Sequence, residues 1–322
     1  MCIVEVVKKL YKKNKAKRIL KKVLETEYKG YNINQQSLES VLLLLAHSLE
    51  KGMSIPKTKK GYGIDKARNL FACQKKYLTD NGLKDSFALQ ESIAVLNAWI
   101  TYSEASGVDV SKIKAEFGEI FNKYHNNAIS AGYIEANDVG KLYDKIDKEV
   151  FSFYISTKRS VRSFKREPVS DKIMNEVVRL TLNAPSACNR QPCKIYWTSD
   201  MEKVSSINSL IPGNKGFEDQ VSNWAIIVVD RSMFGANEGL QWYINGGIFL
   251  AYFTLSLHAY HLGSCIFQLP INHENIIKLK KLSGIDNNEA IIAAVGFGYP
   301  TEKLKYTVAQ RKDVKETLFK LK

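Results

Sequence analysis

Three cations and a hydroxyl fall within five residues at Lys158-Arg159-Ser160-Val161-Arg162, and Ser163-Phe164 follows them. Guanidinium forks beside a hydroxyl supply charge-assisted donors to a phosphate dianion, which isolated surface lysines do poorly. A second polar loop, Pro185-Ser186-Ala187-Cys188-Asn189-Arg190-Gln191-Pro192, offers hydroxyl and amide groups with little charge. Near the end, Gly296-Phe297-Gly298-Tyr299-Pro300 reads as a tight glycine turn after a strand, with Arg311 eleven positions past Pro300. Other reactive types are scattered. His47 and Glu50 stand at i, i+3 without a third ligand, and are expected to be a hydrogen-bonded pair at a helix end. His258 and His261 read as buried, hydrogen-bonded histidines on one helix face, with His273 as a conceivable third metal ligand. Cys188 lacks a histidine partner and reads as inert. No convincing nucleophile triad or carboxylate dyad is visible, which suits chemistry carried by a cofactor.

The elements that must position these residues follow from the rest of the chain. The 322 residues are 45% hydrophobic and 25% charged, proportions of a globular protein with ample core. The net charge of +14 draws heavily on Lys8, Lys9, Lys12, Lys13, Lys15, Lys17, Arg18, Lys21 and Lys22. Zinc-finger spacing and an aromatic-interleaved basic stripe are both missing, so no nucleic-acid partner is expected. Five widely spread cysteines without a Cys-x-x-Cys pair, and no secretory signal, lead us to expect a cytoplasmic setting. Gly246 to Tyr260 is strongly apolar, but flanking Asn245 and the internal His258 favour a buried core or dimer helix over a membrane span.

Residues 1–29 read as a basic helix with an apolar stripe opposite its lysines, and weak contact with a membrane surface is one use for it. Helices are expected at 37–49, with Ser37 as cap, then at 66–79, 86–103, 111–131 and 137–154, with Gly107 and Gly132 as stops. No strand alternation is convincing before residue 155. Afterwards come a helix at 170–182 capped by Ser170, strands at 194–198, 224–229 and 290–295, and a long helix over about 240–261. The expected organisation is an all-helical domain over 1–154 and an α+β domain over 155–322.

In that order and spacing, Lys158–Phe164, the Pro185–Pro192 loop, Leu262-Gly263-Ser264-Cys265 and Gly296–Pro300 make residues 155–322 similar to the nitroreductase family. The resemblance implies an antiparallel-rich sheet flanked by helices and a homodimer with FMN at the subunit interface. It implies that Lys158, Arg159 and Ser160 hold the phosphate, with Arg311 beside them. Arg162 would reach the pyrimidine edge, where a cation suits charge building up near N1 and O2. Pro185, Ser186, Ala187 and Asn189 would come from the partner subunit to the ribityl chain and ring edge. Gln268 and Leu269 would lie by the ring, with a backbone N–H near Gln268 facing N5. Asn214 and Lys215 could reach the pyrimidine from a loop. The glycines at 213, 216, 235 and 239 form no dinucleotide fingerprint.

Such a protein would move a hydride from NADH or NADPH through flavin N5 to a small nitroaromatic or quinone-like acceptor by ping-pong exchange. Three positions depart from the family: Lys158 replaces a usual Arg, Cys193 an aromatic residue, and Leu269 a small residue. They leave open an alternative in which the fold persists as a flavin-binding or flavin-less scaffold without reductase activity.

Overall fold

The computed structural model describes residues 36–321 apart from 57, 81–84, 239, 268 and 270–272, together with 13–15, 17, 18 and 21. The expected basic N-terminal helix lies outside the described residues except at those six positions, which are helical.

Helices fill the first half: α1 (Leu38–Ser54), α2 (Ile64–Asp80), α3 (Phe87–Ala105), α4 (Ser111–Tyr124), α5 (Ala136–Tyr143) and α6 (Lys148–Thr157). The Ser37 hydroxyl accepts the Ser40 N–H at 3.2 Å, which fixes the start of α1 as expected. Leu42, Leu49, Leu70, Leu89, Ile93 and Trp99 form its buried core. Several bounds differ from expectation. Helix α1 runs on through His47 and Glu50 to Ser54, because no breaker intervenes. Helix α4 stops at Tyr124, and the Asn126 side chain accepts the Ala128 N–H at 2.9 Å in a local turn. The single helix expected at 137–154 is two, since the Asp147 carboxylate caps a fresh start by accepting from Glu149 and Val150.

The second half holds α7 (Asp171–Thr181), β1 (Cys193–Thr198), α8 (Met201–Leu210), β2 (Asn223–Asp230), α9 (Gln241–Ala259), β3 (Gly263–Phe267), α10 (His273–Ser283) and β4 (Glu289–Gly298). Its four strands form one antiparallel sheet in the order β1-β2-β4-β3. Both faces are covered, so β2 is apolar without alternation. Trp224, Ile226 and Val228 pack with Val204 and Ile207 of α8 and Leu279 of α10. Ala225 and Ile227 pack with Val177 of α7 and with Phe249 and Phe253 of α9. The fold class is α+β, a helix-flanked antiparallel sheet.

Gly296–Gly298 is strand rather than the expected turn: Gly296 faces Trp224 of β2 and Cys265 of β3. Its glycine is needed for close packing, since a Cβ there would stand 3.1 Å from both Phe267 and Val221. No helix among the described residues is long and apolar enough to cross a membrane.

The halves are joined by contacts as well as by chain. The Ser37 N–H donates to the Ser232 carbonyl at 2.9 Å, and the Ser40 hydroxyl to the Met233 carbonyl at 2.7 Å. Leu43 and Ala88 share a core cluster with Val229, Met233, Phe234 and Trp242.

Candidate functional site

The segment after α6 is held down by its apolar members. Val161 and Phe164 are buried, and the Val161 N–H donates to the Ser264 carbonyl at 3.0 Å. Ser160 bridges Ser264 in parallel, while Phe164 bridges Pro300 in antiparallel sense. Gly263 permits the approach, because a Cβ there would stand 2.5 Å from the Val161 side chain. The segment therefore runs alongside β3 in the same direction. Lys158 and Arg159 lie toward Leu262–Ser264, and Arg162 lies farther along toward Ile266.

Between α6 and the start of β3 is a cavity of about 690 Å³, within the range of small-molecule sites. Ser156, Thr157, Lys158, Arg159, His258, His261, Ser264 and Tyr306 contribute its polar lining, and no carboxylate of the described residues lines it. Burial lowers the Lys158 ammonium pKa. Arg159 reaches back to cap α6, donating to the carbonyls of Ser156 and Lys158. The Ser264 residue is 2% exposed, and its hydroxyl has no hydrogen-bond partner among the described residues. A buried orphan donor beside two cations is what an absent anionic ligand would satisfy.

The histidines differ from expectation. His258 is half-buried, and its Nε2 lies 3.1 Å from the Thr157 hydroxyl. Burial lowers its pKa, with Lys158 and His261 adding to the effect. His261 is exposed and stands past the end of α9 with φ +56°. Both line the cavity, a placement their sequence spacing did not reveal. The His273 side chain lies outside the described residues. No group of metal-ligating side chains forms among the described residues.

Arg162 is exposed and outside the cavity lining. It and Lys158 face Cys265, whose thiol pKa is raised by burial in spite of both cations. Ser160 is half-buried in the bridge to Ser264. Arg311 is exposed and donates to the Ala309 carbonyl at 2.6 Å; the structure does not bring it to the cavity, although Tyr306 of the same tail is there. Gln268 lies outside the described residues, and Leu269 packs half-buried against the core beneath β2. Asn214 is buried and donates to the Asn208 carbonyl of α8 at 3.1 Å, so its side chain is committed to that helix.

The Pro185–Gln191 loop is built separately. The Ser186 hydroxyl accepts the Gln191 N–H at 2.9 Å, and the Ala187 N–H donates to Asn245 Oδ1 at 2.8 Å. Cys188, Asn189 and Gln191 all hold positive φ near +50°, a cluster of strained non-glycine residues. Pro185 and Asn189 are exposed. Pro185 and Ser186 border a different cavity, with Cys193 and Phe249, so one chain does not bring this loop to Lys158. Burial pushes the Cys193 thiol to about 12, which makes it inert. Elsewhere, Glu50 accepts the Gly132 N–H at 3.1 Å and is not paired with His47.

The nitroreductase family model matches residues 155–233, and the chain resembles that family over its second half. It is 25% identical over 179 residues to an NADH dehydrogenase of Thermus thermophilus, a match covering 45% of this chain and 84% of that one. An FMN-dependent nitroreductase of Clostridium difficile superposes on 52% of this chain and 96% of its own, at 19% identity and a TM-score of 0.46.

Proposed function

We propose that the protein is an FMN-dependent oxidoreductase that takes a hydride from NADH or NADPH and passes it to a small nitroaromatic or quinone-like acceptor. The carrying observation is the carboxylate-free cavity that joins Lys158, Arg159 and the unpartnered Ser264 hydroxyl. The family match over 155–233 and the relative named as an NADH dehydrogenase support the same reading. Residues 155–322 would be the flavin domain and 1–154 a helical domain attached to it.

In this reading Lys158, Arg159 and Ser160 hold the phosphate, with Arg311 brought in from the tail. When bound, FMN supplies a carrier that accepts and gives up a hydride at N5. Arg162 stands three residues beyond Arg159 on a segment parallel to β3, at the other end of the site. It offers a fixed cation to the ring's pyrimidine edge. The backbone near Gln268 and Leu269 would support the ring. Pro185, Ser186, Ala187 and Asn189 would enter from a second copy. Donor and acceptor would use the same ring face in turn.

The direct test is reconstitution with excess FMN, followed by anaerobic addition of each nicotinamide. A bound-flavin spectrum bleached by NADH or NADPH is expected. Absence of both a flavin spectrum and thermal stabilisation overturns the proposal. Flavin that binds and is not bleached makes the protein a flavin-binding scaffold instead.

A further inference from the structure

The cavity beside Lys158 has more anion-binding groups than the Lys158–Ser160 turn alone supplies. Ser264 enters from β3 and His258 and His261 from the end of α9, and none of the three belongs to that turn. The Ser264 hydroxyl is buried and has no partner among the described residues, so a ligand reaching it would give it an acceptor. The parallel bridge between Ser160 and Ser264 puts that hydroxyl at the Lys158 end of the site, away from Arg162.

Charge around the imidazoles is one-sided. Lys158 and Arg159 face them from the turn, Tyr154 from α6 with its ring 5.2 Å from that of His258, and Tyr306 from the tail. No carboxylate of the described residues lines the cavity to compensate a protonated imidazole there. An anion would. Burial and Lys158 lower the pKa of His258, and a bound phosphate would reverse that influence.

We infer that this cavity is a phosphate-monoester site in which Ser264, His258 and His261 join Lys158 and Arg159, so that a protonated His258 imidazole tightens binding in mildly acidic conditions. The inference rests on the flavin reading only for the identity of the phosphate's bearer. It adds three ligands and a pH response to that reading.

The test compares FMN with riboflavin, which lacks the phosphate, by fluorescence quenching on the full chain at pH 6 and pH 8.5. The double variant His258→Gln/His261→Gln should bind FMN about tenfold more weakly than the unaltered protein at pH 6. At pH 8.5 the two should differ by less than about twofold. Taking the ratio between proteins at each pH cancels the titration of the phosphate itself. Ser264→Ala, a change too small to disturb the fold, should weaken FMN about fivefold at both pH values. Riboflavin binding should be the same in all three proteins. A double variant equal to the unaltered protein at pH 6, an unchanged Ser264→Ala, or riboflavin held as tightly as FMN would each overturn the inference. If no flavin binds at all, inorganic phosphate alone separates the two ideas. Stabilisation by phosphate that Ser264→Ala abolishes keeps the site and removes the flavin; its absence removes both.

Discussion

The Arg190 guanidinium and the Glu238 carboxylate form a two-pronged ion pair beneath the Pro185–Gln191 loop, one prong at 2.8 Å. Arg190 is 1% exposed, lies 4.6 Å over the Phe234 ring, and also donates to the Ala187 carbonyl at 3.0 Å and the Met233 carbonyl at 2.6 Å. The Met233 carbonyl is the group that also accepts from Ser40 of α1. One buried side chain thus links the loop, the 231–238 turn and, through that turn, the helical half.

Arg190→Met should therefore destabilise the protein by about 3 kcal/mol, since it leaves the Glu238 carboxylate without its guanidinium partner. The hydrogen bond from Arg190 holds the Glu238 carboxyl below its ordinary 4.5. A carboxylate with a lowered folded value stabilises above its unfolded value, and that contribution fades as pH falls through the folded one. Denaturant melts of the unaltered protein should lose stability below about pH 4.5, and the variant should show less of this loss. Equal acid sensitivity would show that the pair does not act this way.

Glu91 of α3 gives the opposite sign. Burial, with Glu50 nearby, raises its carboxyl from 4.5 to about 7. The unfolded chain ionises first as pH rises from 4.5, so the folded state is penalised increasingly up to about pH 7 and constantly above it. At about 1.4 kcal/mol per pH unit, Glu91→Gln should stabilise the protein at pH 8 by up to about 3 kcal/mol. It should change little at pH 4. Melts at the two pH values decide the matter.

The two ends of the proposed flavin site should respond differently to loss of charge. Lys158→Ala should weaken FMN binding about tenfold and leave riboflavin binding unchanged. Arg162→Ala should retain more FMN than Lys158→Ala and slow its bleaching by nicotinamide about a hundredfold. Equal loss of cofactor in both variants would contradict the division of roles.

Helix α9 is apolar all round, and the face it turns from the sheet carries Ile244, Gly247, Ala251 and Tyr252. Phe151 and Phe153 of α6 are more than half exposed beside it. A second copy covering this solvent-facing surface would fit the dimer that the resemblance implies. Sedimentation should show a dimer, and Ala251→Arg should give a monomer that has also lost its flavin. A variant that is monomeric and still fully flavin-loaded would place the cofactor within one chain.

Much of this was legible because local chemistry coincides with final structure. Ser170 caps α7 by accepting from Ile173 at 3.4 Å, and the apolar run around Trp224–Val229 became a strand covered on both faces. The Lys158 turn was visible because its cations sit within five residues. Arg190 was not, because its partner Glu238 is 48 positions away and only the fold joins them. Gly296–Gly298 misled for a related reason: glycine marks turns and close approaches alike, and the neighbours that distinguish them, Phe267 and Val221, are remote in sequence. His258 and His261 have no pattern of their own; the end of α9 and the path of the Lys158 segment bring them to one cavity.

The docking of α1 on the Ser232–Met233 turn limits how this chain can be divided. A fragment beginning at residue 155 would uncover Val229, Met233, Phe234 and Trp242, and would remove the Ser40 hydroxyl from the carbonyl it now shares with Arg190. Such a fragment would be expected to be sticky and loosely ordered in the Pro185–Gln191 loop. Comparison with shorter relatives would then mislead, because here the added helices serve as the floor on which that loop rests.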